Sequence, residues 1–181
     1  STVAPSVASA ASTAVQRRVG AMVMHHNGHV LMELREGGPL HGLYCFPGGK
    51  EEPEDDGHLH LAARREIQEE LGVDADAILS SAKDFDGMPY FVRTYIARCP
   101  VTDAERRRLH TVNLRGDTLR WINETILRQL SLDGLLTRSS IPMVDSADLR
   151  SVWHTAPDID AAADTDGDGE GHNGGDHIDG M

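Results

Sequence analysis

Three glutamates within five residues of one predicted helix constrain this chain more than any other feature of its sequence. The segment Arg65-Glu66-Ile67-Gln68-Glu69-Glu70-Leu71 is followed by Gly72, a residue type that commonly ends helices in the left-handed conformation. Glu66 and Glu70 are one turn apart, and Glu69 lies three residues after Glu66, so the three carboxylates can converge beside the helix. Negative charges this close repel one another, and Mg²⁺ or Mn²⁺ prefers oxygen ligands that would offset the repulsion. The sequence therefore predicts a divalent-metal site here.

The helix that carries these glutamates is predicted to run from about His58 to Leu71. Asp55 or Asp56, in the acidic turn before it, is suited to cap its first free N–H groups. Its apolar residues recur every four positions and form a line that can pack on a sheet: Leu59, Ala63, Ile67 and Leu71. Glu66 and Glu70 lie on the line next to this apolar one.

The remaining pattern alternates strands with helices. Two β-prone stretches, Val19 to His25 and His29 to Arg35, flank Asn27-Gly28, which is the strongest short signal for a hairpin. Pro47-Gly48-Gly49 is predicted to be a rigid turn. Further predicted strands are Ala77 to Phe85, Tyr90 to Arg98 and Thr118 to Ile122. Asp103 to His110 is predicted to be a short basic helix or a loop, and helices are predicted around Glu124 to Leu130 and Ser146 to Trp153.

Composition excludes several classes of protein. The formal net charge is −12, but Asp158 to Met181 holds eight acidic residues and no Lys or Arg, so the rest carries only −4. A mildly acidic body argues against binding of duplex nucleic acid, which needs a basic face. No apolar run is long enough for a membrane span. The two cysteines, Cys45 and Cys99, have no metal or disulfide spacing, which favours a reducing, intracellular compartment.

The chain is divided into one domain and two tails on the basis of composition. Residues 1–18 are rich in Ser, Ala and Thr and are predicted to be a disordered leader. Residues 19–156 form the predicted domain, and residues 157–181 are predicted to be a disordered acidic tail. A leader without acidic residues that ends in Arg17-Arg18 also resembles a transit-peptide remnant. The cytoplasm is therefore the first prediction for location, with the mitochondrion as the alternative.

The glutamate segment resembles the Nudix, or MutT-like, family, whose box reads G-x5-E-x7-R-E-U-x-E-E-x-G-U, with U a bulky apolar residue. Arg65 to Val73 matches the second half of the box fully, and Phe46-Pro47-Gly48-Gly49-Lys50 is similar to the family's approach to the box glycine. Asp55 stands where the family has its first glutamate. The interval from Asp55 to Arg65 is two residues longer than in the family, and we place the insertion near Asp56-Gly57.

The resemblance implies an α/β fold, namely an α/β/α sandwich with a mixed β-sheet, and a hydrolase that depends on Mg²⁺ or Mn²⁺. It implies that Glu66 is the metal-bound carboxylate nearest the chemistry and that Glu69, Glu70 and the Gly49 carbonyl are further ligands. Arg65 would orient the glutamates through ion pairs. Water attack on a phosphoanhydride would be assisted by a carboxylate base, for which Glu66 is favoured and Asp117 is the alternative.

The substrate implied by the resemblance is a nucleoside diphosphate derivative. A nucleoside triphosphate, including an oxidised one, is the first choice, and the products would be a nucleoside monophosphate and pyrophosphate. ADP-ribose, a dinucleoside polyphosphate and an RNA 5′ end are the alternatives. The candidates for substrate contact are Tyr44, Phe46, Lys50, Tyr90 and Asn123. Core packing, a strand position or a helix cap is the competing interpretation for these residues.

A protein of another class is the remaining alternative. A Nudix-fold subunit without activity could bind RNA or protein through its termini within a larger assembly. Fold and activity can separate in this way. The intact glutamates favour the enzyme.

Overall fold

The computed structural model describes residues 15–109 and 116–154. Its strands are β1 (Arg17–Val23), β2 (His25–His26), β3 (His29–Leu34), β4 (Tyr44–Cys45), β5 (Gly48–Lys50), β6 (Ala77–Gly87), β7 (Tyr90–Ala97) and β8 (Thr118–Asn123). Its α-helices are α1 (Leu59–Leu71), α2 (Asp103–Arg108), α3 (Glu124–Leu132), α4 (Ile141–Val144) and α5 (Ala147–Trp153). Three short 3-10 helices span Gly38–Leu40, Pro53–Asp55 and Arg138–Ser140.

The strands form two sheets that meet where β1 runs on into β2. In the first sheet the order is β5-β1-β7-β6, and β1 pairs parallel with β7 but antiparallel with β5. In the second sheet β3 pairs antiparallel with β2, β4 and β8. The predicted hairpin is confirmed, because His26 pairs with His29 across Asn27 and Gly28. The predicted mixed sheet is confirmed as well.

Helices cover both faces of this strand layer. One core cluster joins α1, through Leu59 and Ile67, to Met22 of β1 and Leu31 of β3. The second cluster, on the other face, contains Val23 of β1 together with apolar residues of α3, α4 and α5. Neighbouring residues of β1 and of β3 therefore point into different clusters, as the two-residue period of a strand requires. This arrangement is the predicted α/β/α sandwich.

Helix α1 forms largely as the sequence predicts. Its buried residues include the predicted apolar line, and Gly72 adopts a left-handed conformation with φ 66° at the helix end. The predicted cap is wrong. His58 occupies the N-cap position without a side-chain cap, while Asp55 ends a separate 3-10 helix that intervenes before α1.

Several predicted boundaries shift. The segment Gly48–Lys50 is a strand and not only a turn, because it pairs with β1. Strand β1 begins at Arg17, so the last two residues of the predicted leader belong to the sheet. The remaining leader up to residue 14, His110 and the predicted acidic tail lie outside the described residues. Within the described ranges, no helix is long and apolar enough to cross a membrane.

Candidate active site

The backbone of Gly49 lies directly against the side chain of Glu66. A Cβ built on Gly49 would stand 2.0 Å from the Glu66 carboxyl carbon and 2.3 Å from its Oε1. Gly49 pairs with Gly20 across β5 and β1. A Cβ on Gly20 would in turn stand 1.9 Å from the carbonyl oxygen of Leu59 in α1. This glycine pair lets the helix approach the sheet closely enough to bring Glu66 onto β5.

Arg65 joins the loop before α1 to the glutamates on it. Its Nη2 donates to the Lys50 carbonyl oxygen at 2.8 Å, and its Nη1 donates to Glu66 Oε1 at 3.1 Å and to Glu69 Oε2 at 3.4 Å. The guanidinium also donates to both carboxylate oxygens of Asp55, at 3.3 and 3.0 Å. The role that the resemblance implies for Arg65, ion pairing with the glutamates, matches these contacts.

Asp55 is the buried partner of Arg65. Its side chain is only 4% exposed, and it accepts a further hydrogen bond from the Glu52 N–H at 2.8 Å. Burial alone would raise the pKa of Asp55, but the hydrogen bonds from Arg65 and Glu52 and the Arg65 charge hold the pKa below its ordinary value. The same pairing, through the Asp55 hydrogen bond first, raises the pKa of Arg65. Both groups are therefore charged at neutral pH.

Asp56 and Gly57, near which the sequence predicts the two extra residues, form a turn before α1. Asp56 and Gly57 both adopt left-handed backbone conformations, with φ 47° and 78°, which compress the chain into a short loop. Arg18 holds the loop from outside, because its Nη2 donates to the Gly57 carbonyl oxygen at 3.3 Å and its Nη1 pairs with Glu51 at 2.9 Å.

The donor set around Glu66 suits a hard divalent cation. Glu66, Glu69 and Glu70 lie on neighbouring turns of α1, and the backbone of Gly49 lies against the Glu66 side chain. Carboxylate and carbonyl oxygens are the ligands that Mg²⁺ and Mn²⁺ take. Within residues 15–109 and 116–154, no three His, Cys, Asp or Glu side chains already stand in a ready-made metal geometry. Arg65 lies between Glu66 and Glu69 instead.

Asp117, the alternative base, lies in another network. Its side chain is 5% exposed and pairs with Arg35 at 3.0 Å. It also accepts a hydrogen bond from the Glu36 N–H at 3.1 Å. Through these contacts Asp117, near the start of β8, stabilises Arg35 and Glu36 in the segment that follows β3.

The candidates for substrate contact are distributed over the fold. Phe46 is 4% exposed and belongs to the second core cluster, against which Tyr44 and Tyr90 also pack. Asn123 caps α3, because its Oδ1 accepts the Ile126 N–H at 3.0 Å. The Lys50 side chain is exposed beside Gly49. Their positions agree with the packing and capping interpretation for Phe46 and Asn123, and Lys50 alone adjoins the glycine of the box.

The comparison with protein families decides the family to which the chain belongs. The model of the NUDIX domain matches residues 14–167, which is most of the chain. The chain belongs to the Nudix family. Its enzyme class is accordingly that of the pyrophosphohydrolases, as the glutamate segment predicts. No curated protein matches the chain closely enough to add a relative.

Solved structures with a similar fold include Nudix and MutT proteins. The E. coli ORF135 protein shares 21% identity over 78% of this chain and 95% of its own, with a TM-score of 0.52. The MutT protein from Methanosarcina mazei Go1 shares 16% over 77% and 97%, with a TM-score of 0.54. The Nudix domain of Shewanella oneidensis NrtR, solved with ADP ribose, shares 15% over 76% and 89%, with a TM-score of 0.54. At these identities the likeness establishes the fold.

Two contributors to the site were not predicted from the sequence. The predicted leader includes Arg18, and the sequence pattern does not single out the Lys50 carbonyl as an acceptor for Arg65. No local pattern signals either contact, because each joins segments that are remote in sequence. Among the partners of Arg65 outside α1, only Asp55 was indicated by the sequence, through its position in the box. The role of Asp55 is to pair with Arg65.

Asp55→Asn is expected to lower the free energy of unfolding by about 3 kcal/mol near pH 7, because it leaves Arg65 partly buried without its main counter-charge. Since the folded pKa of Asp55 lies below the ordinary value of 3.8, the stabilisation is present above that value and is lost as pH falls through the folded pKa. The difference between wild type and variant should therefore shrink below about pH 4. Urea unfolding at a series of pH values measures both effects.

Asp56→Asn is the matched control, because it removes the same charge from the next residue, which is exposed and whose left-handed conformation suits asparagine. It should change stability little. Equal losses in the two variants at pH 7 would contradict the assignment of Asp55 as the buried partner of Arg65.

Proposed function

We propose that the chain is a divalent-metal-dependent hydrolase that cleaves a phosphoanhydride bond in a nucleoside diphosphate derivative. A nucleoside triphosphate, including an oxidised one, is the first substrate, with a nucleoside monophosphate and pyrophosphate as products. The observation that carries the proposal is the contact between Glu66 and Gly49, which brings a carboxylate of the box helix onto the box glycine. Family membership supports the reaction class.

Glu66, Glu69, Glu70 and the Gly49 carbonyl are the residues that would hold Mg²⁺ or Mn²⁺. The ion supplies neutralisation of phosphate charge and makes phosphorus more electrophilic when it is bound there. Arg65 keeps two of these carboxylates in position through its Nη1. Because Asp55 and the Lys50 carbonyl accept hydrogen bonds from the same guanidinium, Arg65 links the loop before α1 to the glutamates on it.

Glu66 is the proposed base that accepts a proton from the attacking water. Its side chain is 15% exposed, so the carboxylate is accessible but largely shielded. Asp117 is the weaker candidate, because it precedes β8 and is engaged there by Arg35 and the Glu36 N–H, outside the helix that carries the three glutamates.

The test is chromatographic separation of the products, including any phosphate and pyrophosphate released, after incubation of the purified chain with Mg²⁺ or Mn²⁺. The panel contains canonical and oxidised nucleoside triphosphates, dinucleoside polyphosphates, capped RNA and ADP-ribose, which is the ligand in the NrtR structure. We expect turnover of a triphosphate with pyrophosphate as product, and loss of turnover when a chelator removes the metal. If another compound of the panel is turned over faster, that compound replaces the nucleoside triphosphate as the proposed substrate.

The rival function makes a different prediction in the same assay. A Nudix-fold subunit that only binds RNA or protein through its termini would turn over none of these compounds while remaining folded. Circular dichroism on the assayed sample separates this outcome from an inactive, unfolded preparation. Absence of turnover across the panel by folded protein would favour the subunit.

A further inference from the structure

Helix α2 lies at the end of α1 and is tied to the rest of the protein at both of its ends. Asp103, its first residue, lies 2.9 Å from Nε2 of the buried His26 in the hairpin. Arg106 stacks over the ring of Trp121 in β8, with Cζ 5.8 Å from the ring centroid. Val101 and Leu109, which flank the helix, are 3% and 4% exposed. A helix of six residues is thus held in a defined place.

Arg108, the last residue of α2, lies over the C-terminal end of α1. Its Nη2 donates to the Gly72 carbonyl oxygen at 3.0 Å. A Cβ on Gly72 would stand 3.3 Å from Arg108 Nη1, so the missing side chain leaves room for the guanidinium. The final carbonyl groups of a helix have no partner within the helix, and a cation beside them also interacts favourably with the helix dipole.

We infer that Arg108 is a positioning residue for the metal site, an inference that rests on the proposed function. Glu69 and Glu70 lie in the last turn of α1, within three residues of Gly72. Repulsion among the carboxylates destabilises that turn. The hydrogen bond from Arg108 to the Gly72 carbonyl oxygen stabilises the end of the turn. Because α2 is anchored to β2 and β8, Arg108 couples the last turn of α1 to the second sheet.

The test compares Arg108→Gln with Arg107→Gln in Mn²⁺ titrations of the full chain, with free Mn²⁺ measured by electron paramagnetic resonance at low salt. Arg107 is an exposed residue of the same helix, so its variant removes the same charge without the Gly72 contact. Arg108→Gln should raise the Kd for Mn²⁺ about two- to fivefold, the range expected for a cation at a helix C-terminus. Arg107→Gln should not change it, and Arg108→Lys should restore part of the loss.

Turnover against Mn²⁺ concentration gives an independent readout. The concentration for half-maximal activity should rise in Arg108→Gln, while kcat at saturating Mn²⁺ stays near the wild-type value. A lower melting temperature with an unchanged Kd would overturn the inference and leave Arg108 a purely structural role. Equal Kd values for the two glutamine variants would also overturn it, while the proposed function stands if wild type binds Mn²⁺ and turns over. Absence of Mn²⁺ binding by wild type would overturn both.

Discussion

Glu66→Gln is expected to reduce metal-dependent turnover by about 10³-fold, within the range for removal of a general base. The amide has nearly the same shape as the carboxylate and can still accept the hydrogen bond from Arg65 Nη1, now 3.1 Å away. It carries no negative charge for a cation and cannot take a proton from water at neutral pH. The measurement is kcat/KM on the best substrate of the panel, at saturating Mg²⁺ or Mn²⁺.

Glu54→Gln is the matched control for this prediction. Glu54 lies in the 3-10 helix before α1 and is exposed, so the same chemical change there should leave kcat/KM near the wild-type value. Both variants should unfold at similar denaturant concentrations. A Glu66→Gln protein that keeps more than about a tenth of wild-type activity would remove Glu66 from the role of base.

Gly49→Ala is expected to lower kcat by about 10²-fold, because displacement of a reacting group by about 1 Å costs that much. The new methyl group would stand 2.0 Å from the Glu66 carboxyl carbon, so the carboxylate has to leave its place. The backbone cannot retreat easily, since Gly49 pairs with Gly20 and Gly20 packs on the Leu59 carbonyl oxygen. Steady-state kinetics and a thermal melt report the two consequences, displacement of Glu66 and strain in the strand.

Gly37→Ala provides the control, because nothing lies within 4 Å of a Cβ at that position and its φ of −155° is open to alanine. It should keep wild-type activity. If Gly49→Ala is folded and fully active, the close approach of Glu66 to β5 is not required for turnover. If it is inactive but binds Mn²⁺ as tightly as wild type, Glu66 acts in proton transfer and not in metal binding.

The sequence was informative wherever the determining interactions are local. The period of four in Leu59, Ala63, Ile67 and Leu71 predicted the buried face of α1, because helix geometry alone relates those positions. Asn27-Gly28 predicted the hairpin for the same reason, since turn chemistry depends on adjacent residues. The cap of α1 was mistaken because a separate 3-10 helix places Asp55 away from the first turn.

By itself, the sequence determined the family, the glutamate helix and its end at Gly72, since spacing along one helix and a left-handed glycine need no distant partner. Only the tertiary structure decided which remote segments meet: Gly49 against Glu66, Asp55 beneath Arg65, Arg18 on the inserted turn and Arg108 on Gly72. Each of these contacts depends on strand pairing and helix packing across many residues. The sequence thus specified which chemical groups are available, and packing of the helix on the sheet decided their neighbours.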